Sequence, residues 1–127
     1  MELDEQHKTR ALVVDDDRDV AEFVKIVLEG AGCEVRRAWN GDQALAVAEW
    51  FQPEIVFLDV VIPEQMGWLV CAKLKMAQPA PVVVVVTGVV EEANDRFAEF
   101  VHADLLIRKP FSEADILRPL TELVLAD

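Results

Sequence analysis

Pro53-Glu54-Ile55-Val56-Phe57-Leu58-Asp59-Val60-Val61-Ile62-Pro63 contains a continuous apolar run, Ile55 to Leu58, with a proline-glutamate pair before it and an aspartate after it. The run is strand-sized and does not alternate apolar with polar residues. Both faces of such a strand are expected to be covered, which places it inside a parallel sheet. Its carboxyl end is Asp59, and a loop holding Pro63 and Gly67 follows.

The pattern on either side has the same logic. Upstream, Ala11-Leu12-Val13-Val14 is a first apolar strand, stopped by Asp15-Asp16-Asp17. Val20, Phe23, Val24, Val27 and Leu28 recur at helical spacing, and Gly30 and Gly32 end that helix. Cys33 to Ala38 alternates like a half-exposed strand. Ala44, Leu45, Val47, Ala48 and Phe51 make a second amphipathic helix, stopped before Pro53.

Downstream, Leu69, Val70, Ala72, Lys73 and Leu74 fit a third helix, broken by Pro79 to Pro81. Val82 to Val86 are consecutive valines and read as a buried strand. Ala93, Phe97, Phe100 and Val101 mark a fourth helix, Leu105-Leu106-Ile107 a fifth strand, and Ile116, Leu117, Leu120, Leu123 and Val124 a fifth helix. Ser112, with Asp115 three residues later, is a variant capping box for that last helix.

The expected fold is therefore α/β: a (βα)5, doubly wound, parallel five-stranded sheet. Residues 1–9 form a polar lead and residues 10–127 one domain. The second strand carries Glu34, Arg36 and Arg37, and the fifth is short and flanked by Asp104 and Arg108, so both suit sheet edges. The flavodoxin-like order 2-1-3-4-5 satisfies this. In that order a ligand is expected outside the carboxyl ends of the first and third strands.

Composition limits the partners. The chain has 127 residues, 12 basic and 24 acidic, for a net charge of −12. A phosphate backbone or an anionic lipid surface would be repelled, so neither nucleic acid nor membrane is expected as a partner. The longest apolar run, Pro81 to Val86, is far short of the ~18–20 residues of a membrane span. Cys33 and Cys71 read as small buried residues rather than a disulfide framework or zinc site. His7 and His102 read as solvated, and Trp39, Trp50 and Trp68 as scattered packing residues. A soluble, cytoplasmic domain is the expectation.

The proposed topology gathers a small group of polar residues. The first strand ends at Asp15-Asp16, the third at Asp59, the fourth at Thr87-Gly88 and the fifth at Lys109-Pro110. Each has an ordinary reading alone: a solvated loop, a turn, a surface lysine. Asp17 reads simply as the N-cap of the first helix. Jointly, crowded carboxylates raise one another's pKa unless a cation neutralises them. An all-oxygen cluster is hard ligation, suited to Mg²⁺. Lys109 and Thr87 add the positive charge and hydrogen-bond donor that a phosphoryl group needs.

Four segments, Leu12 to Asp17, Pro53 to Pro63 with Gly67, Val84 to Gly88 and Arg108 to Phe111, resemble the motifs of the receiver domain of bacterial two-component response regulators, of the single-domain chemotaxis-regulator kind. The resemblance covers about residues 10 to 125. It implies that Asp59 is the phosphoacceptor, attacking a phosphohistidine on a sensor histidine kinase or phosphotransfer protein to form an acyl phosphate. It implies Mg²⁺ ligation by Asp16, Asp59 and the backbone carbonyl of Val61, with Asp15 acting mostly through water. Lys109 would pair with Asp59 and then with a phosphoryl oxygen. Thr87 and the Gly88 amide would hydrogen-bond the phosphoryl group, and Pro110 would follow a cis peptide.

The chain departs from the family at particular positions. Leu106 stands where the family places an aromatic switch residue, and Met66 where an acidic residue often precedes Gly67. Val61 and Val89 flank the site and cannot activate water, so slow self-dephosphorylation is expected. Three readings follow. The first is a signalling module, not an enzyme in its own right, acting on a downstream protein target, with a homodimer allowed. It is either stand-alone or excised from a larger regulator or hybrid kinase. The second is a small Mg²⁺-dependent aspartyl-nucleophile phosphohydrolase, which would need a general acid where Val61 stands. The third is a receiver-fold interaction module that is never phosphorylated.

Overall fold

A computed structural model describes residues 7–60, 67–88 and 101–125. The strands are β1 (Arg10–Val14), β2 (Glu34–Ala38), β3 (Ile55–Asp59), β4 (Val82–Thr87) and β5 (Leu105–Arg108). The helices are α1 (Arg18–Gly30), α2 (Gly41–Phe51), α3 (Gly67–Lys75) and α4 (Glu113–Pro119). The expected fourth helix lies outside the described residues apart from Val101, so α4 here is the one expected fifth. All strands pair in parallel in the order β2-β1-β3-β4-β5, as the edge and interior character of the strands indicated.

The alternation of side chains across the central strands divides the core in two. Ala11 and Val13, Ile55 and Phe57, and Val84 and Val86 pack with Val24 and Leu28 of α1 and Ile116 of α4. Leu12 and Val14, Val56 and Leu58, and Val83 and Val85 pack on the other face with Ala44 of α2 and Val70, Cys71 and Leu74 of α3. Both cysteines are buried and free. Strands covered on both faces explain the uninterrupted apolar runs.

Local chemistry sets the helix ends. The Asp17 carboxylate accepts the Asp19 and Val20 amides and caps α1. At the other end the Cys33 amide bonds the Leu28 carbonyl and the Gly32 amide bonds that of Glu29, with Gly32 at φ +93°. This is a Schellman closure, in which glycine relieves the steric cost of the left-handed residue. Ser112 and Asp115 form a reciprocal capping box on α4. Pro119 has no N–H to continue the α register, and residues Leu120–Leu125 wind on as a π-helix. The expected uniform last helix is thus corrected at its proline.

The expectation for the tryptophans is also corrected. Trp39 and Trp68 are partly buried against the core, whereas Trp50 is 63% exposed. Trp50 lies edge-on to Phe51, and the Arg36 guanidinium sits over both rings. His102 is exposed at φ 62°, and His7 lies 3.3 Å from Glu54.

Ser112→Ala removes one half of the capping box and is expected to cost about 1 kcal/mol of stability. Urea unfolding of the variant against wild type measures it, and an unchanged midpoint would refute the assignment.

Candidate functional site

Parallel register brings the strand ends level. Val14 pairs with Leu58, Asp59 with Val86 and Thr87 with Arg108. The next residues, Asp15, Gly88 and Lys109, therefore emerge with Asp59 and Thr87 at one edge of the sheet. Asp15 is 3% exposed, Asp59 6% and Thr87 0%, and they are the buried polar residues among those described. Asp16 is exposed.

Each group is anchored. The Asp15 amide donates to the Ala38 carbonyl (3.2 Å), and its Oδ1 accepts the Asp17 amide (2.9 Å). Lys109 is held at both ends of its length. Its amide donates to the Thr87 carbonyl (2.8 Å), and its Nζ donates to Asp59 Oδ2 (2.9 Å) and Asp15 Oδ2 (3.2 Å). The Lys109-Pro110 peptide is cis. Carboxylate oxygens of Asp15, Asp16 and Asp59 all lie within 4.8 Å of one another.

Electrostatics at this edge are unbalanced. Burial raises the pKa of Asp15, the Asp17 amide opposes this, Asp59 adds to the rise and Lys109 counters it, with a net shift upward. Burial acts to lower the pKa of Lys109, but its hydrogen bonds and attraction to Asp59 and Asp15 outweigh that and leave it raised. One ammonium among three carboxylates leaves an excess of negative charge. Hard oxygen donors this close fit a cation such as Mg²⁺ and would not select zinc.

Asp15, Asp16, Asp59, Thr87, Gly88 and Lys109 thus converge on one edge. Val61 lies outside the described residues, as do Met66 and Val89. Leu106 is half-buried on β5 and packs against the core face that includes Val85, Val101 and Leu74. Gly88 is exposed, and a Cβ there would make only an ordinary 3.9 Å contact with the Lys109 side chain. Beside Lys109 and Gly88 opens a groove of about 500 Å³ that also meets Val20, Phe23 and Phe111.

Gly67 was legible as part of a motif but not in its role. Its amide donates to the Val60 carbonyl at 3.2 Å, and a Cβ at this position would collide with the Val60 Cα. Only glycine lets α3 start against the residue that follows Asp59. The signal was available: a glycine opening a helix, where it is a poor former, points to a close approach.

Residues 11–121 match the response regulator receiver domain family, and the chain belongs to it. Among curated relatives, it is 32% identical over 110 residues to the DNA-binding dual master transcriptional regulator RpaA of Synechocystis sp., covering 85% of this chain and 46% of that protein. It is 33% identical over 110 residues to the DNA-binding response regulator MtrA of Mycobacterium tuberculosis, covering 87% and 48%. The chain spans about half the length of these relatives. A CheY-like receiver domain protein from Methanospirillum hungatei superposes with a TM-score of 0.86 at 29% identity, covering 91% of this chain and 93% of that one.

A carboxylic acid whose folded pKa lies above its unfolded one costs folding free energy once ionised. For Asp15 that cost grows as pH rises from 3.8, the ordinary aspartate value, and is full above the folded value. Asp15→Asn is therefore expected to raise the metal-free Tm at neutral pH by a few degrees, on the order of 1 kcal/mol. The gain should shrink as pH falls, and a thermal scan in chelator showing a less stable variant at neutral pH would contradict this account. Gly67→Ala must displace backbone and is expected to cost about 1–3 kcal/mol, read from denaturant unfolding.

Proposed function

We propose that Asp59 is the phosphoacceptor of a two-component phosphorelay. The observation that carries this reading is the buried Asp59 carboxylate bridged to Asp15 through Lys109 at the open edge of the sheet. An Asp59 oxygen attacks the phosphorus of a phosphohistidine on a sensor kinase or phosphotransfer protein. The new P–O bond forms as the P–N bond breaks, and the imidazole leaves with the bonding pair and takes up a proton. Lys109, held by two carboxylates, is placed to transfer one contact to a phosphoryl oxygen. Thr87 and the Gly88 amide supply donors from β4. Asp15, Asp16 and Asp59, with the Val61 carbonyl, are the ligands we assign to Mg²⁺, which when bound supplies positive charge for the phosphoryl oxygens.

The groove beside Lys109 is where a donor protein must approach to deliver the phosphoryl group, and its Phe23 and Phe111 rings, 6.0 Å apart, offer that donor apolar contact. Val61 gives no general acid at the position a phosphohydrolase needs, so the domain is read as a signalling module rather than an enzyme in its own right. Val61 and Val89 also give nothing to activate water, and loss of phosphate is expected over minutes or longer. Among the described residues no helix is long and apolar enough to cross a membrane, and we assign the domain to the cytoplasm. Output is by conformational change to a protein partner. Because the chain spans about half of its DNA-binding relatives, a second reading gives the output to another module of a longer protein.

Intact-mass measurement after incubation with Mg²⁺ and acetyl phosphate tests the reading. Wild type is expected to gain one phosphate and Asp59→Asn none, and the gain should vanish in chelator. Equal labelling of the variant, or none of wild type, overturns it. Following the labelled protein after donor removal checks the slow loss, which decay within seconds would refute.

A further inference from the structure

Val60, the residue after Asp59, is a backbone junction. Its amide bonds the Val86 carbonyl (3.4 Å), one residue before Thr87. Its carbonyl accepts the Gly67 amide (3.2 Å) at the first residue of α3. The space that a Cβ on Gly67 would occupy is filled by Val60 main chain, by its Cα and, at 2.7 Å, by its carbonyl carbon and oxygen. The end of β3, the phosphoryl-binding end of β4 and the start of α3 are therefore one contact.

Leu106 has neither a ring to swing nor a polar tip to hydrogen-bond. It already packs on the apolar cluster that includes Val70, Cys71 and Leu74 of α3. Cys71 Sγ in turn faces the Val101 carbonyl at 3.9 Å.

We infer that the phosphoryl state of Asp59 is read out at α3, through the Val60–Gly67 backbone contact. The inference rests on Asp59 being the phosphoacceptor and adds where the change goes. A close-packed contact without slack transmits displacement rather than absorbing it. A shift of the Asp59–Val60 strand end on gaining the phosphoryl group moves the first turn of α3. The helix is only nine residues long and leaves Leu69 (48%) and Lys73 exposed on its outer side, with Met76 (78%) in the turn that follows, so the altered surface mixes apolar and basic groups.

Hydrogen exchange read by mass spectrometry tests this on the full chain with Mg²⁺, with and without acetyl phosphate, the phosphate gain being scored by intact mass on the same samples. Amides of residues 68–75 are expected to change their exchange rate by about tenfold on phosphorylation, the scale of a local opening shifted by one decade. Leu106→Ala is expected to keep that response, because the route through Val60 does not use residue 106. Phosphate gain with no change in α3, or loss of the α3 response in phosphorylated Leu106→Ala, overturns the inference alone. Absence of phosphate gain in wild type overturns the phosphoacceptor reading and this inference with it.

Discussion

Lys109 Nζ, within 2.9 Å of Asp59 and 3.2 Å of Asp15, offsets an arrangement that would otherwise oppose folding. Two carboxylates buried to within a few per cent of complete exclusion from water lose most of their hydration, and the neighbouring Asp59 adds to the cost of ionising Asp15. The lysine between them offsets part of that cost. It does not complete the neutralisation, since Asp16 adds a third carboxylate. The edge is left with charge to spare, and a divalent cation is the chemistry that residual charge favours. Stability has been given up here for a cluster whose chemistry suits a cation.

The main chain makes that bridge possible. Lys109 reaches the carboxylates because its amide is pinned to the Thr87 carbonyl at 2.8 Å, which fixes its starting point against β4. Asp15 is similarly pinned to Ala38 on β2, and its side chain is turned by the Asp17 amide. The same Asp15-Asp16-Asp17 run thus serves two ends: the first two residues enter the site, and the third caps α1. Parallel pairing does the rest, because level strand ends need no long loops to bring distant residues together. Residues 94 positions apart in the chain meet across a lysine–aspartate contact.

Much of this was legible because the fold is locally consistent. Continuous apolar runs meant strands covered on both faces, and charges on β2 meant an edge. From order and polarity the strand-end residues followed without any knowledge of their contacts. What was not legible depended on packing distance. Gly67 looked like a motif letter until the Val60 backbone appeared beneath it. Pro119 stood inside a good apolar periodicity, so its effect on the register of the last helix was hidden by the leucines around it. Trp50 resembled a core residue by type, but its helix turns it outward, where Arg36 covers its face. Propensity and period see neither close approach nor the outcome of competition for one face.

The charge of −12 is not spread evenly over the molecule's chemistry. Arg36 lies over Trp50 and Phe51, Arg37 and Arg18 over Trp39, and Arg37 also meets Glu22 at 3.2 Å. Three of the twelve basic side chains are thus drawn to the β2 side of the sheet. Arg36 also turns its Nη1 onto the Val35 carbonyl at 3.3 Å, on β2, which like β5 pairs on one side only among the described strands. A charged, stacked edge of this kind discourages pairing with another chain. Lys109, by contrast, turns its ammonium onto the buried carboxylates at the far side of β1. One ammonium does not balance three clustered carboxylates, so this edge is chemically suited to a further cation.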